Sequence, residues 1–176
     1  ATLVADIQPG GNSSSPTSML PFNNKLIFTA NTSVSGSEPW ITDGVSVTQI
    51  GDLAPGIDSS YASYYSRMNG KVYFVAYLSD PRLYETDGVT ARPTTATFPE
   101  GASGFYNLAV VGNRLYLSIG TPKTGLEPWV FDGTGARMIR DILPGPDSSY
   151  PTAYARRGNG VIFAADDGTH GAEPWL

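Results

Sequence analysis

The sequence of 176 residues contains no cysteine. Disulfide frameworks, thiolate metal sites and thiol nucleophiles are therefore excluded. It contains a single histidine, His170, so a site with several histidine ligands is excluded and a Ser-His-Asp triad has at most one centre. No apolar run approaches the roughly 18 residues that a membrane helix needs, and we expect no membrane insertion.

Basic residues are also few. Eleven Lys and Arg stand against 16 Asp and Glu, which gives a formal net charge of -5. The basic residues are scattered along the chain and form no cluster that could follow a phosphate backbone or an anionic membrane surface. We therefore predict that the protein does not bind nucleic acid.

Turn-forming and aromatic residues are abundant. Twenty Gly and 14 Pro interrupt the chain too often for long helices, while ten Tyr, seven Phe and three Trp suit packed sheets. This composition predicts an all-β domain that is rich in turns.

Four markers recur along the chain with a common period. The aromatic residue that follows Glu-Pro in most copies recurs at intervals of 44, 45 and 46 residues. An Asp-Gly turn, an apolar strand and a Pro-Gly loop keep the same phase. The aromatic positions are Trp40, Tyr84, Trp129 and Trp175. A period of this length is typical of solenoids, propellers and repeat arrays.

Each unit contains the pattern of four short strands. A Pro-Gly-x-x-Ser-Ser loop precedes a first strand such as Thr152–Arg156, and an Asn-Gly turn, as at Asn69-Gly70 and Asn159-Gly160, leads to an apolar second strand. A third strand such as Glu127–Val130 is followed by an Asp-Gly turn and a fourth strand. Four antiparallel strands in about 44 residues make one propeller blade.

We predict one repeat domain over residues 1–176, a four-bladed β-propeller of four-stranded antiparallel blades. The blades are predicted near residues 8–52, 53–97, 98–141, and 142–176 together with 1–7. The sequence starts inside a fourth strand (Thr2–Ile7) and stops inside a third strand (Glu173–Leu176), so we expect the N-terminal strand to complete the last blade. The alternatives are an eight-bladed ring of two chains and self-association by strand exchange. Because Ala1 is not an initiator Met, we also expect a processed form or a piece of a longer protein.

Two segments carry a resemblance to a known family. Residues Glu38–Gly44 read EPWITDG and residues Asp141–Gly145 read DILPG. The chain resembles the bacterial ELWxxDGT repeat proteins over its whole length, with Pro where the family usually has Leu. It departs from the pattern at Arg82-Leu83-Tyr84 and at Thr97-Phe98-Pro99. The resemblance implies an exported or cell-surface bacterial protein of propeller type, without an assigned chemistry.

The recurring aromatic and acidic residues are the candidate ligand-binding positions. Aromatic rings, one per blade, can stack on sugar faces, but an aromatic residue within an apolar strand more often packs in the core. The acids stand two residues before Trp and hence on the same strand face. They can bind sugar hydroxyls or a cation, but more often bond the backbone amides of a nearby turn. We favour the structural interpretation for both sets, Trp40, Tyr84, Trp129 and Trp175, and Glu38, Glu127 and Glu173.

Aspartates are concentrated around the Pro-Gly loops, at Asp6, Asp52, Asp58, Asp141 and Asp147. Oxygen-rich loops can hold calcium, but the EF-hand spacing is absent. Asx and Ser turns explain the same residues, as they do for Asp166–Thr169, so we predict no cofactor.

Two classes of function remain. The first is a non-catalytic extracellular or cell-surface module for binding and assembly, with a glycan or a protein as partner. The second is a secreted hydrolase-like enzyme with its site at the mouth of the propeller channel. Because no catalytic residue and no metal ligand can be named from the sequence, we favour the first.

Overall fold

A computed structural model describes residues 1–79 and 81–176, and the regular secondary structure of this part consists of β-strands without helices. Among these residues, fifteen strands form four antiparallel sheets in which chain neighbours are also sheet neighbours. The described residues include no helix long and apolar enough to cross a membrane.

Each sheet is a meander of consecutive strands. The first contains β1 (Thr17–Phe22), β2 (Lys25–Thr32), β3 (Gly36–Thr42) and β4 (Val47–Gln49). The second contains β5 (Ser63–Met68), β6 (Lys71–Ala76), β7 (Arg82–Thr86) and β8 (Ala91–Pro93). The third contains β9 (Ser103–Val111), β10 (Arg114–Thr121), β11 (Gly125–Phe131) and β12 (Ala136–Met138). The fourth contains β13 (Thr152–Arg157), β14 (Gly160–Asp166) and β15 (Ala172–Trp175).

The predicted all-β class and the repeated antiparallel sheets are confirmed. The fourth sheet has three strands rather than four among the described residues, and Ala1–Asp6, most of the predicted N-terminal strand, carries no regular structure. The other fourth strands, β4, β8 and β12, are only three residues long. A segment of three residues is assigned as a strand only because it pairs with the third strand of its sheet. Closure of the fourth sheet by residues 1–7 therefore stays a prediction.

The turns between first and second strands are of two kinds. Asn23-Asn24 and Asn69-Gly70 have positive φ at both central residues, as in type I′ turns. In the third and fourth sheets the first turn residue is a glycine with positive φ, Gly112 or Gly158. The predicted Asn159-Gly160 turn is therefore displaced by one residue, because Gly158 accepts the left-handed backbone and Gly160 begins β14.

Each first strand contains a bulge at the same repeat position. The pairing with the second strand shifts register there, and a residue of left-handed conformation lies at the shift in the first, second and fourth sheets. In the third sheet the shift lies between Tyr116 and Ser118 of β10, opposite the part of β9 that contains Asn107. Asn107 is also left-handed, so the four residues at this repeat position are Ser18, Tyr64, Asn107 and Ala153, with φ from 54° to 57°.

The chain forms two compact units, Ala1–Thr94 and Thr95–Leu176. In the first unit a buried cluster joins two sheets, with Phe22, Ile27 and Ile41 packed among Phe74 and Tyr84. In the second unit Val161, Phe163 and Ala165 of the fourth sheet pack with Ile142, and Val111 and Tyr116 of the third sheet lie against them. Each unit is therefore held together by apolar side chains between the faces of consecutive sheets.

Candidate functional site

A buried carboxylate joins the first sheet to the loop that leads into the second. Glu38 lies in the middle of β3 and is 0% exposed. Its Oε2 accepts a hydrogen bond from the Leu53 amide at 3.0 Å and one from the Ser60 hydroxyl at 2.8 Å. Its Oε1 accepts from the amides of Ser60 at 3.0 Å and Ala54 at 3.3 Å. One side chain therefore forms hydrogen bonds with both ends of the Pro-Gly-x-x-Ser-Ser loop.

The second unit repeats this arrangement. Glu127 of β11 is also 0% exposed. It accepts hydrogen bonds from the Ile142 amide at 2.9 Å, the Ser149 amide at 3.1 Å and the Ser149 hydroxyl at 2.8 Å. Glu38 with its loop and Glu127 with its loop are called the carboxylate latches below. The expectation that the recurring acids bond the backbone amides of a nearby turn is confirmed for Glu38 and Glu127.

Burial and hydrogen bonding act in opposite directions on the latch carboxylates. Desolvation raises the pKa of Glu38 and is opposed by the hydrogen bonds from Leu53 and Ser60. Desolvation likewise raises the pKa of Glu127, and the nearby negative charge of Asp141 adds to the rise. Because each carboxylate already accepts hydrogen bonds from several protein donors, it serves as a structural acceptor rather than as a free general base.

A pair of hydroxyls accompanies each latch, buried in the first unit and partly buried in the second. Thr29 of β2 donates to the Ala62 carbonyl and lies 2.8 Å from the hydroxyl of Tyr65 in the next sheet. Ser118 of β10 makes the equivalent contacts, to the Pro151 carbonyl at 2.7 Å and to the Tyr154 hydroxyl at 3.1 Å. Desolvation raises the pKa of both phenols, so they remain neutral donors and acceptors.

Glycine begins the third strand at both latches for a steric reason. A Cβ on Gly36 would overlap the Asp58 carbonyl, and one on Gly125 would overlap the Asp147 carbonyl. Both glycines also have positive φ, near 62°. The loop of the next sheet can approach only a residue without a side chain.

The recurring aromatic residues are parts of the sheets. Tyr84 and Trp129 are 5% and 6% exposed, which confirms the packing interpretation for these two. Trp40 and Trp175 are half-buried, and each indole nitrogen donates to a carbonyl of the preceding strand, at 3.1 Å to Ala30 and 2.9 Å to Ala165. The indole nitrogen of Trp129 is buried without a hydrogen-bond partner in the described part of the chain.

The predicted ligand-binding residues do not converge on one site within either unit. Each lies on the third strand of its own sheet, and Glu173 on β15 is exposed, unlike Glu38 and Glu127. Arg82 occupies the equivalent position on β7. The alternative role of this set in glycan binding stays a prediction.

The aspartates of the Asp-Gly turns form Asx turns, as predicted for Asp166–Thr169. Oδ1 of Asp43 accepts from the amides of Val45 and Ser46 at 2.9 and 2.8 Å, and these hydrogen bonds lower its pKa to about 2. Asp132 and Asp167 have the same kind of turn and pKa values lowered to about 2 by their hydrogen bonds. His170 is exposed, as expected, and its ring nitrogen lies 2.8 Å from Asp167. No group of three or more potential metal ligands occurs among residues 1–79 and 81–176.

Sequence reasoning missed two features around the latches. It did not name Ser60 and Ser149 as the partners of the acids, although the paired serines recur 89 residues apart. It also did not name the tyrosine that follows each of these serines. These are Tyr61 and Tyr150, which are 62% and 68% exposed. The shared segment Asp-Ser-Ser-Tyr, at 58–61 and 147–150, was the available signal.

Comparisons with known proteins identify the fold alone. No protein-family model and no curated protein matches the chain. Among solved structures, the computationally designed Ika4 protein, which is β-propeller-like, is similar with a TM-score of 0.54 and 15% sequence identity. The match covers 96% of this chain and 94% of that one.

Proposed function

We propose that the protein is a non-catalytic scaffold for binding and assembly, built as a four-bladed propeller whose last blade is completed by its own N-terminal strand. The observation that carries the proposal is the repetition of the carboxylate latch. Two latches join consecutive sheets inside the two units, and the sequence contains the parts of a third.

The parts of the third latch lie at the two ends of the chain. Glu173 stands where Glu38 and Glu127 stand in the repeat, and Ile7 and Ser14 correspond to Leu53 and Ser60. Ser14 already makes the contact with its own sheet that the other latch serines make. Its carbonyl accepts from the Asn31 amide at 2.8 Å, as Ser60 accepts from Tyr77 at 2.7 Å and Ser149 from Asp166 at 2.9 Å. In the closed ring the amides of Ile7 and Ser14 would donate to Glu173, as the amides of Leu53 and Ser60 donate to Glu38.

The residues that accompany the latches support the same closure. Thr29 and Tyr65, which are hydrogen-bonded, correspond in the repeat to Ala164 and Met19. Both hydroxyl-bearing residues of the pair are thus replaced by apolar ones. Contact between Ala164 and Met19 in the closed ring would therefore leave no hydroxyl without a partner. Gly171 corresponds to Gly36 and Gly125 and also has positive φ, 76°.

An apolar groove beside the first sheet would accept the fourth. It has a volume of about 430 Å³ and is lined by Met19, Leu26 and Phe28 together with residues of the N-terminal segment. At the equivalent face of the second sheet, Ile27 and Ile41 of the first sheet occupy this place in the core. Their counterparts in the fourth sheet are Ile162 and Leu176. Burial of these side chains would stabilise the closed ring by roughly 25 cal/mol for each Å² of apolar surface removed from water.

A rigid ring of sheets presents its loops at fixed positions, which suits a module that binds an extracellular glycan or protein. The resemblance to ELWxxDGT repeat proteins supports an exported or cell-surface location in a bacterium. The latch carboxylates do not serve catalysis in this proposal, because their oxygens are committed to loop donors.

Substitution of Glu173 tests the closure. We expect Glu173→Ala to lower the free energy of unfolding by about 2 kcal/mol or more, since it would leave amide and hydroxyl donors of the N-terminal loop without an acceptor. Glu127→Ala is the matched control, because it removes a latch inside one unit. A change within about 0.5 kcal/mol for Glu173→Ala, as at an ordinary surface position, would refute the proposed contact.

Light scattering on the same samples distinguishes closure within a chain from a ring of two chains. A mass near 18.7 kDa at all concentrations, with a melting temperature independent of concentration, is expected for closure within one chain. Twice that mass would contradict closure within one chain and agree with the ring of two chains.

A further inference from the structure

The Asp-Ser-Ser-Tyr segment occurs twice and has the same structure each time. Its two serines face inward: Ser59 Oγ accepts from the Ser37 amide at 2.9 Å, and Ser60 joins the latch. Ser148 and Ser149 make the equivalent contacts in the second unit. The outer residues, Asp58 with Tyr61 and Asp147 with Tyr150, are exposed.

The tyrosines occupy a backbone conformation that does not favour them. Tyr61 and Tyr150 have φ of 46° and 48°, in the left-handed region where a bulky residue costs about 1–2 kcal/mol. The third sheet has Gly104 at this repeat position, with φ of 64°. The fold therefore accepts glycine there, and the geometry does not require tyrosine.

Packing does not offset this cost. Tyr61 and Tyr150 are 62% and 68% exposed, so their rings remove little apolar surface from water. Strained conformations that packing does not explain are found preferentially at functional sites. Neither the backbone conformation nor the packing therefore accounts for a tyrosine at these two positions.

The latch fixes the backbone directly before each tyrosine. The residue before it is bonded to a buried carboxylate through both its amide and its hydroxyl. A tyrosine side chain has only two χ angles, so little conformational entropy is lost when a ligand covers it. The flanking aspartate supplies a hydrogen-bond acceptor three residues away.

An exposed aromatic ring with an exposed carboxylate three residues away along the chain matches the chemistry of a sugar. The ring covers the apolar C–H face of a pyranose, and the carboxylate accepts hydrogen bonds from its hydroxyls. An anionic polymer is disfavoured, because the carboxylate and the net charge of -5 would repel it.

We propose that each Asp-Ser-Ser-Tyr segment is a shallow binding site for a neutral glycan, in which Tyr61 or Tyr150 stacks on a sugar ring and Asp58 or Asp147 bonds its hydroxyls. This assignment rests on the proposed function as a binding module and names its ligand class and its site. Two equivalent sites on one chain would bind a repetitive polysaccharide with avidity.

Native electrophoresis in gels containing mannan, galactan, xylan or mixed-linkage β-glucan tests the site, with alginate as the anionic comparison. We expect at least one neutral polysaccharide to retard the full chain and alginate not to retard it. The double variant Tyr61→Gly/Tyr150→Gly should lose at least tenfold in apparent affinity, while its urea unfolding midpoint stays equal or rises. Asp58→Ala/Asp147→Ala should weaken retardation without shifting that midpoint.

The matched control is Tyr64→Gly, which removes another exposed tyrosine with φ of 57° outside the segment and should leave retardation unchanged. Lack of retardation by all four neutral polysaccharides would overturn the inference, as would preferential retardation by alginate. Equal retardation of the tyrosine double variant would overturn the assignment of the site. The Glu173 experiment is independent of these outcomes, so failure of the glycan site and failure of the closed scaffold are distinguishable.

Discussion

At the scale of single residues, a glutamate that resembles a ligand-binding group in sequence is a structural acceptor in the fold. Glu38 and Glu127 bond loop donors that lie 15 to 22 residues away along the chain. Burial disfavours their charged form, and the surrounding amides and hydroxyls partly compensate. The balance between these two effects has a measurable dependence on pH.

We expect the latch carboxyl to make the protein more stable under mildly acidic conditions. The pKa of Glu127 is raised above its usual value of 4.5, mainly by desolvation, so the folded state binds its proton more tightly than the unfolded state. Stability from this group is therefore fully present below its unfolded pKa and is lost as pH rises through its folded pKa. Urea unfolding of the wild type and Glu127→Gln from pH 4 to pH 8 measures the difference. A difference in unfolding free energy that does not change with pH would contradict the expected direction.

At the scale of elements, hydrophobic alternation and turn residues predicted most strands. The apolar second strands and the Asp-Gly turns lie where the pattern placed them. The first-strand bulges could not be predicted, because Ser18, Tyr64, Asn107 and Ala153 share no chemistry and the left-handed backbone is imposed by the sheet. The latch was predictable only in part: strand alternation placed Glu beside Trp, but its serine partner is a contact between distant segments.

Contacts between consecutive sheets should be energetically coupled. Thr29→Val takes from the buried Tyr65 hydroxyl its Thr29 partner, and Tyr65→Phe takes from the Thr29 hydroxyl one of its two contacts, whereas the double variant removes both hydroxyls. We expect the double variant to lose about 1 kcal/mol less stability than the sum of the single variants. Denaturant unfolding of the four proteins in the cycle measures this coupling. Simple additivity would indicate that the two hydroxyls do not depend on each other.

At the scale of the whole molecule, a closed ring requires that the end of the chain repeat the contacts made within it. Each unit contains one complete latch, and the parts of a third are divided between the N-terminal loop and β15. The repeat period predicted the number of sheets, because every copy contains the same turn and strand signals. It could not establish closure, because periodicity gives the order of the sheets and not the pairing of residues far apart in the chain.

Amide hydrogen exchange of the N-terminal loop, resolved by NMR, tests closure most directly. Leu53 and Ser60 are internal references, since both amides donate to the buried Glu38. If Glu173 completes the third latch, the amides of Ile7 and Ser14 will exchange as slowly as these references, within about tenfold, and Glu173→Ala will abolish their protection. Rapid exchange of Ile7 and Ser14 in the wild type, with Leu53 and Ser60 still protected, would contradict the closed propeller.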